Sequence, residues 1–224
     1  MKILAVSPHL DDAVFSAGAT LSAHARAGDE VTVLTCLTGN FANPTGFALA
    51  CQLDKGLAPD VDYMALRQAE DRDACAAIGA DALHWDFLEA PHRGYEDAPS
   101  LFGEPLAGDR LAEVLEQKLA EHLRKNRYDR IYGPWGVGNH VDHMLVRKAL
   151  QAVASDAVWW EDFPYALRED APPAGLMRRP VAPEDVARKV EGALCYTTQI
   201  PFQFGSPEQA RRVLSEWQAE GLSR

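Results

Sequence analysis

Two short stretches of the chain gather side chains that can hold a cation or move a proton. The first, Ser7-Pro8-His9-Leu10-Asp11-Asp12, follows directly on the apolar run Ile3-Leu4-Ala5-Val6. The second, Gly138-Asn139-His140-Val141-Asp142-His143, lies beyond Arg130-Ile131-Tyr132-Gly133. Neighbouring carboxylates repel, and partly buried ones are costly unless paired, hydrogen-bonded or bound to a cation. His9 and Asp12 stand three apart where a strand turns into a helix, and His140 and His143 repeat that spacing. Two histidines and a carboxylate, completed by water, make a common hydrolytic zinc site. A dication there offsets the charge of Asp11 and Asp12 and lowers the pKa of bound water to roughly 7. Fe²⁺, Co²⁺ and Mn²⁺ suit the same donors.

Alone, each stretch has a plainer reading: a capping histidine, or aspartates favoured by a helix dipole. Together, at two strand-to-helix junctions, they point to a metal centre. Spacing does not decide which of His140 and His143 is a ligand. A dinucleotide is excluded, because its pyrophosphate needs a glycine-rich turn after the first strand. The chain offers a proline, a histidine and two carboxylates there.

The elements that must position these residues follow from periodicity. Lys2–Ser7, Val31–Leu37, Ala82–Phe87, Arg130–Gly133 and Ala157–Trp160 read as strands. Helical patterns fill 12–27, Met64–Ile78, the stretch from an Asp109 cap to about Asn126, and His140 to Ala154. Two more helices open at Pro183-Glu184 and at Ser206-Pro207-Glu208. Thr38–Tyr63 reads as loop, as does the Pro- and Gly-rich stretch to Gly108. Alternating strands and helices predict an α/β protein: a single-domain Rossmann-like three-layer sandwich over residues 1–224, with a mostly parallel sheet. Ligands of such sheets bind beyond the strands' carboxyl ends. Thr38-Gly39-Asn40, Asp86, Glu89, His92, Arg93, Glu161 and Asp162 therefore join the two stretches around one crevice.

The net charge is −11, with no basic run longer than Arg178-Arg179 or Arg211-Arg212, which argues against nucleic acid and against an anionic membrane surface. The apolar run after Lys2 stops at Ser7, too short for a signal peptide. Four scattered cysteines without a C-x-x-C pair suit a reducing cytoplasm.

On these residues the chain resembles the LmbE-like, or PIG-L, family of zinc-dependent de-N-acetylases. The family's A-H-P-D-D-E motif is similar to Pro8-His9-Leu10-Asp11-Asp12-Ala13, and its H-P-D-H motif to His140-Val141-Asp142-His143. Arg67-Gln68-Ala69-Glu70 resembles an R-x-x-E helix, and Trp160-Glu161-Asp162-Phe163-Pro164-Tyr165-Ala166 a Y-E-D-x-P-Y-A stretch. The resemblance implies His9, Asp12 and His143 as metal ligands, Asp11 as general base, and His140 as oxyanion donor oriented by Asp142. A histidine so placed is expected to stay protonated near neutrality. Arg67, Arg93 and Tyr165 are the substrate-binding candidates, and Trp159 and Trp160 are expected in core and crevice wall. The implied reaction removes an N-acyl group, N-acetyl above all, from an amino sugar or related conjugate by attack of water held on the metal. The alternatives are a metal-binding but inactive protein, with Ala13 in place of the motif's glutamate, or one specific for a phosphoester or another amide. The partner is a small molecule, and a homo-oligomer is left open.

Overall fold

A computed structural model describes residues 1–223 of the chain. Seven strands form one sheet: β1 (Lys2–Ser7), β2 (Glu30–Thr35), β3 (Asp81–His84), β4 (Arg130–Pro134), β5 (Val158–Trp160), β6 (Leu176–Pro180) and β7 (Ala219–Ser223). Their order is β3-β2-β1-β4-β5-β7-β6. The first five run parallel, and β7 pairs antiparallel with both β5 and β6. The chain leaves β1 towards β2 and β3, then returns to β4 on the other side of β1. That reversal opens a crevice at the carboxyl ends of β1 and β4. His9–Asp12 and His140–His143 flank it.

Strand alternation divides the core. Ile3 and Ala5 face one apolar cluster, shared with Val31, Val33 and the helices α1 (Asp12–Arg26), α3 (Tyr63–Ile78), α6 (Pro183–Leu194) and α8 (Pro207–Glu216). Leu4, Val6 and Leu34 face the other, under α4 (Leu111–Lys125) and α5 (Val141–Val153). With both faces covered, the parallel strands carry nearly unbroken apolar runs.

One polar cluster lies inside the first layer. Lys189 of α6 pairs with Glu220 of β7 at 2.8 Å, both almost fully buried. Glu220 also accepts from the Ala19 and Thr20 backbone N–H groups of α1 and from the Thr20 hydroxyl. Gly18 makes room, since a Cβ there would lie 3.1 Å from Lys189 Cγ.

Besides three short 3₁₀ helices, the structure adds two strands and two α-helices to those read from sequence: β6, β7, α2 (Gly46–Leu53) and α7 (Ile200–Phe204). It also shortens β2 and β3, whose expected ends instead meet in an isolated antiparallel bridge between Leu37 and Asp86. All four cysteines are free. Among the described residues no helix is long and apolar enough to cross a membrane.

Candidate active site

Asp11 occupies the N-cap position of α1, yet its carboxylate caps nothing. Its backbone, at φ 156° and ψ −32°, lies outside the ordinary basins, a local strain of the kind that collects at functional sites. Only 6% exposed, Asp11 is pushed up to about 7 by burial and by the charge of Asp12, against the pull of Arg67 and His9. Asp12 shifts oppositely: although burial opposes ionisation, His143 and His9 hold its carboxyl well below the usual range. Two adjacent aspartates thus acquire different chemistry from their surroundings.

Asp12 Oδ2 stands 3.1 Å from His9 Nδ1 and 3.3 Å from His143 Nε2. The outer nitrogen of each imidazole is held by a further carboxylate. His9 Nε2 lies 2.9 Å from Asp142 Oδ2, and His143 Nδ1 lies 2.8 Å from Asp162 Oδ1. Such bonds fix the orientation of each ring and turn its inner nitrogen towards Asp12. His143 Nε2 is buried and has no hydrogen-bond partner. A buried imidazole nitrogen left bare beside a carboxylate and a second imidazole fits a divalent cation, and the donor set suits zinc. The ligand atoms of His9, Asp12 and His143 lie within 4.8 Å of one another, as do those of His9, His140 and Asp142. The first set has both outer nitrogens anchored.

His140 is the N-cap of α5, with its Nδ1 accepting from the Asp142 backbone N–H at 3.3 Å. The carboxylate of Asp142 is engaged elsewhere, with His9, the Ala90 N–H and the Arg93 guanidinium. Burial and the neighbouring His9 push His140 down to about 3. The protonated ring expected from sequence therefore gives way to a neutral one, whose Nδ1 accepts and whose Nε2 keeps a proton to donate.

A cleft of about 300 Å³ opens over these groups, and its walls include Arg67 and Tyr165. Arg67, 4% exposed, reaches Glu89 at 2.5 Å and approaches Asp11 at 3.9 Å, with its Nε left unpartnered. Tyr165 sets its ring edge-on to His143, and a Cβ on Gly138 (φ 86°) would lie 2.7 Å from that ring. Arg93 requires a correction: its guanidinium is spent on Asp109, Asp142 and the Leu88 carbonyl, and it does not line the cleft. Glu70 turns away from Arg67 to bind Thr197 and Thr198. Trp159 and Trp160 belong to the two core clusters and not to the crevice wall. Ala13 packs in the core, so the missing glutamate leaves no gap in the cleft lining.

Sequence reasoning missed the anchoring role of Asp162, although its place beyond a parallel strand was a usable signal. It also missed Glu89 as the partner of Arg67, and the wall supplied by α2 and α7.

Residues 4–154 match the PIG-L family, described as GlcNAc-PI de-N-acetylase. A 2'-N-acetylparomamine deacetylase of Streptomyces fradiae is 31% identical over 213 residues, covering 88% of this chain and 73% of that protein. A 1D-myo-inositol 2-acetamido-2-deoxy-alpha-D-glucopyranoside deacetylase of Mycobacterium sp. is 29% identical over 164 residues, covering 70% of this chain and about half (51%) of that one. The solved zinc-inhibited form of a teicoplanin deacetylase superposes with a TM-score of 0.80 at 26% identity, covering 100% of this chain and 97% of that one.

Proposed function

Because the chain belongs to the PIG-L family of GlcNAc-PI de-N-acetylases, we propose that it is a metal-dependent deacetylase of an N-acetylamino sugar conjugate, working as one domain over residues 1–224. The observation that carries this reading is the bare, buried Nε2 of His143 facing Asp12, with its ring anchored by Asp162. His9, Asp12 and His143 hold the metal. When bound, that ion supplies positive charge that acidifies water and polarises a carbonyl.

The rest of the chemistry falls to this chain's own side chains. Asp11, uncommitted and with a raised pKa, takes a proton from the water that attacks the amide carbon. His140 donates from Nε2 to the oxygen that gains charge as the carbon becomes tetrahedral. Asp11 then returns its proton to the nitrogen as the C–N bond breaks, leaving acetate and a free amine. Arg67 and Tyr165 border the sugar, and Asp142 steadies His9. The four free cysteines favour a reducing, cytoplasmic setting.

Zinc is the metal we favour; a relative described in a zinc-inhibited form makes a metal panel part of the test. Protein purified without added metal is analysed for metal content, then assayed with Zn²⁺, Fe²⁺, Co²⁺ and Mn²⁺ for acetate release from N-acetylglucosaminides, with phosphoesters as controls. Metal-dependent acetate release supports the reading. A protein that takes up no divalent metal, or that hydrolyses only phosphoesters, overturns it.

A further inference from the structure

Outward from Asp11 and Asp12 the cleft changes character. Its walls there are aromatic, built from Phe47 on α2, Phe202 on α7, Phe41 on the loop before α2 and Phe102 on the loop before α4. Phe41, Phe102 and Phe202 are 54%, 44% and 59% exposed, large apolar surface for a site open to water. Lys55, just past the end of α2, is set among them. Its Nζ donates to the Cys51 carbonyl at 3.0 Å and lies 4.8 Å from the Phe202 ring centroid and 5.6 Å from that of Tyr63. An ammonium carries three donors, so the Cys51 bond leaves two over.

Among the described residues no carboxylate forms an ion pair with Lys55. Glu89, which faces the same cleft, is bonded to Arg67. A half-buried cation without an acid partner is costly, and that cost falls when an anion arrives. Arg67, the arginine in the cleft lining, is already committed to Glu89, so an anionic substituent that reaches the outer cleft is drawn to Lys55.

We propose that Lys55 fixes the far end of the substrate by receiving an anionic oxygen group, carboxylate or phosphate, borne on an aromatic aglycone that lies along Phe47 and Phe202. The proposal rests on the deacetylase reading above and specifies its substrate. The amide then sits at Asp11 and His140, while the aglycone extends outward and its charge is met at the end of α2. A lysine that merely closed the helix would be indifferent to substrate charge.

The probes are phenyl, para-carboxyphenyl and para-phosphophenyl N-acetyl-β-glucosaminides, which differ only in the anion. Acetate release and calorimetric binding are measured for the wild type, Lys55→Met and Lys55→Arg. The wild type should prefer one or both anionic glycosides by on the order of tenfold in kcat/KM, chiefly through KM. Lys55→Met should bring that ratio near one, and Lys55→Arg should retain it. Because the readout is a ratio within one protein, a general loss of fold does not imitate it. The better anionic probe identifies carboxylate or phosphate as the natural charge. Turnover of all three without a Lys55-dependent preference overturns the proposal and leaves the deacetylase intact. Preference in binding without turnover of any keeps the Lys55 site and overturns the deacetylase. Neither turnover nor preference overturns both.

Discussion

Asp162 Oδ1 lies 2.8 Å from His143 Nδ1 while its Oδ2 accepts from the backbone N–H groups of Gly136 and Val137. One buried carboxylate thus couples the loop after β4 to the ring orientation of His143. Replacing it with an amide weakens the anchor without emptying the space. Asp162→Asn should lower metal affinity by on the order of 10–100-fold, measured by competition with a chelator. Asp162→Ala should in addition lower the melting temperature, because two buried N–H groups lose their acceptor at about 1–3 kcal/mol each. Metal affinity unchanged in Asp162→Asn would dismiss the anchoring role.

Asp11 and Asp12 are adjacent but should separate cleanly. Asp12→Ala removes the carboxylate that faces both imidazoles, so the purified protein should contain little metal. Asp11→Asn should keep near-stoichiometric metal and lose on the order of 10²–10⁴ in turnover, the usual range for an absent general base. Metal analysis beside acetate release decides the matter, and a fully active Asp11→Asn would refute the assignment.

The same aspartate gives the metal-free protein a defined pH response. Folding raises Asp11 from its ordinary 3.8 to about 7, so the native state holds a proton that the unfolded chain releases between those values. Its stabilising contribution is complete below the unfolded value and is lost as pH rises through about 7. With metal removed, Asp11→Asn should therefore melt higher than the wild type at about pH 8, by roughly 1–4 kcal/mol of stability. The gap should shrink steadily as pH is lowered towards about 4. A gap independent of pH, or one of opposite sign, contradicts the burial argument.

His140 and His143 call for a paired experiment. His143→Ala should lose metal, whereas His140→Ala should retain it and lose on the order of 10²–10³ in turnover. The environment of His140 adds a sharper expectation. A ring that donates as a neutral imidazole can be replaced in part by a side-chain amide, so His140→Gln should recover some of the turnover lost in His140→Ala. A glutamine variant no better than alanine would show that the ring acts through its charge.

Strands β1 to β5 are legible in the sequence because parallel strands covered on both faces are short apolar or β-branched runs, as in Ile3-Leu4-Ala5-Val6 and Val31-Thr32-Val33-Leu34. The chemistry is legible for the same reason, since reactive side chains gather where those runs stop. Leu176–Pro180 carries two arginines and a proline, and Ala219–Ser223 carries a buried glutamate, so neither announces a strand. Helix α2 has eight residues, opens on Gly46 and follows Asn43-Pro44, which reads as a turn. The engagement of Arg93 is not legible either, because its three partners, Leu88, Asp109 and Asp142, converge only after folding. Charge on a loop does not reveal whether it faces solvent, substrate or another side chain.

The hold of Glu220 on α1 bears on how this enzyme can be taken apart. The family match ends at residue 154, but that span is not a transplantable module. Cut there, α1 would lose the carboxylate that engages Ala19 and Thr20, and His143 would lose Asp162. The helix that begins with Asp12 would be left with an open notch where Lys189 and Glu220 now sit. Chimeras that alter specificity should therefore exchange the Thr38–Tyr63 segment, which supplies part of the outer cleft wall, and keep β6 and β7 with their parent. In this architecture the last antiparallel pair acts as a clasp for the first helix.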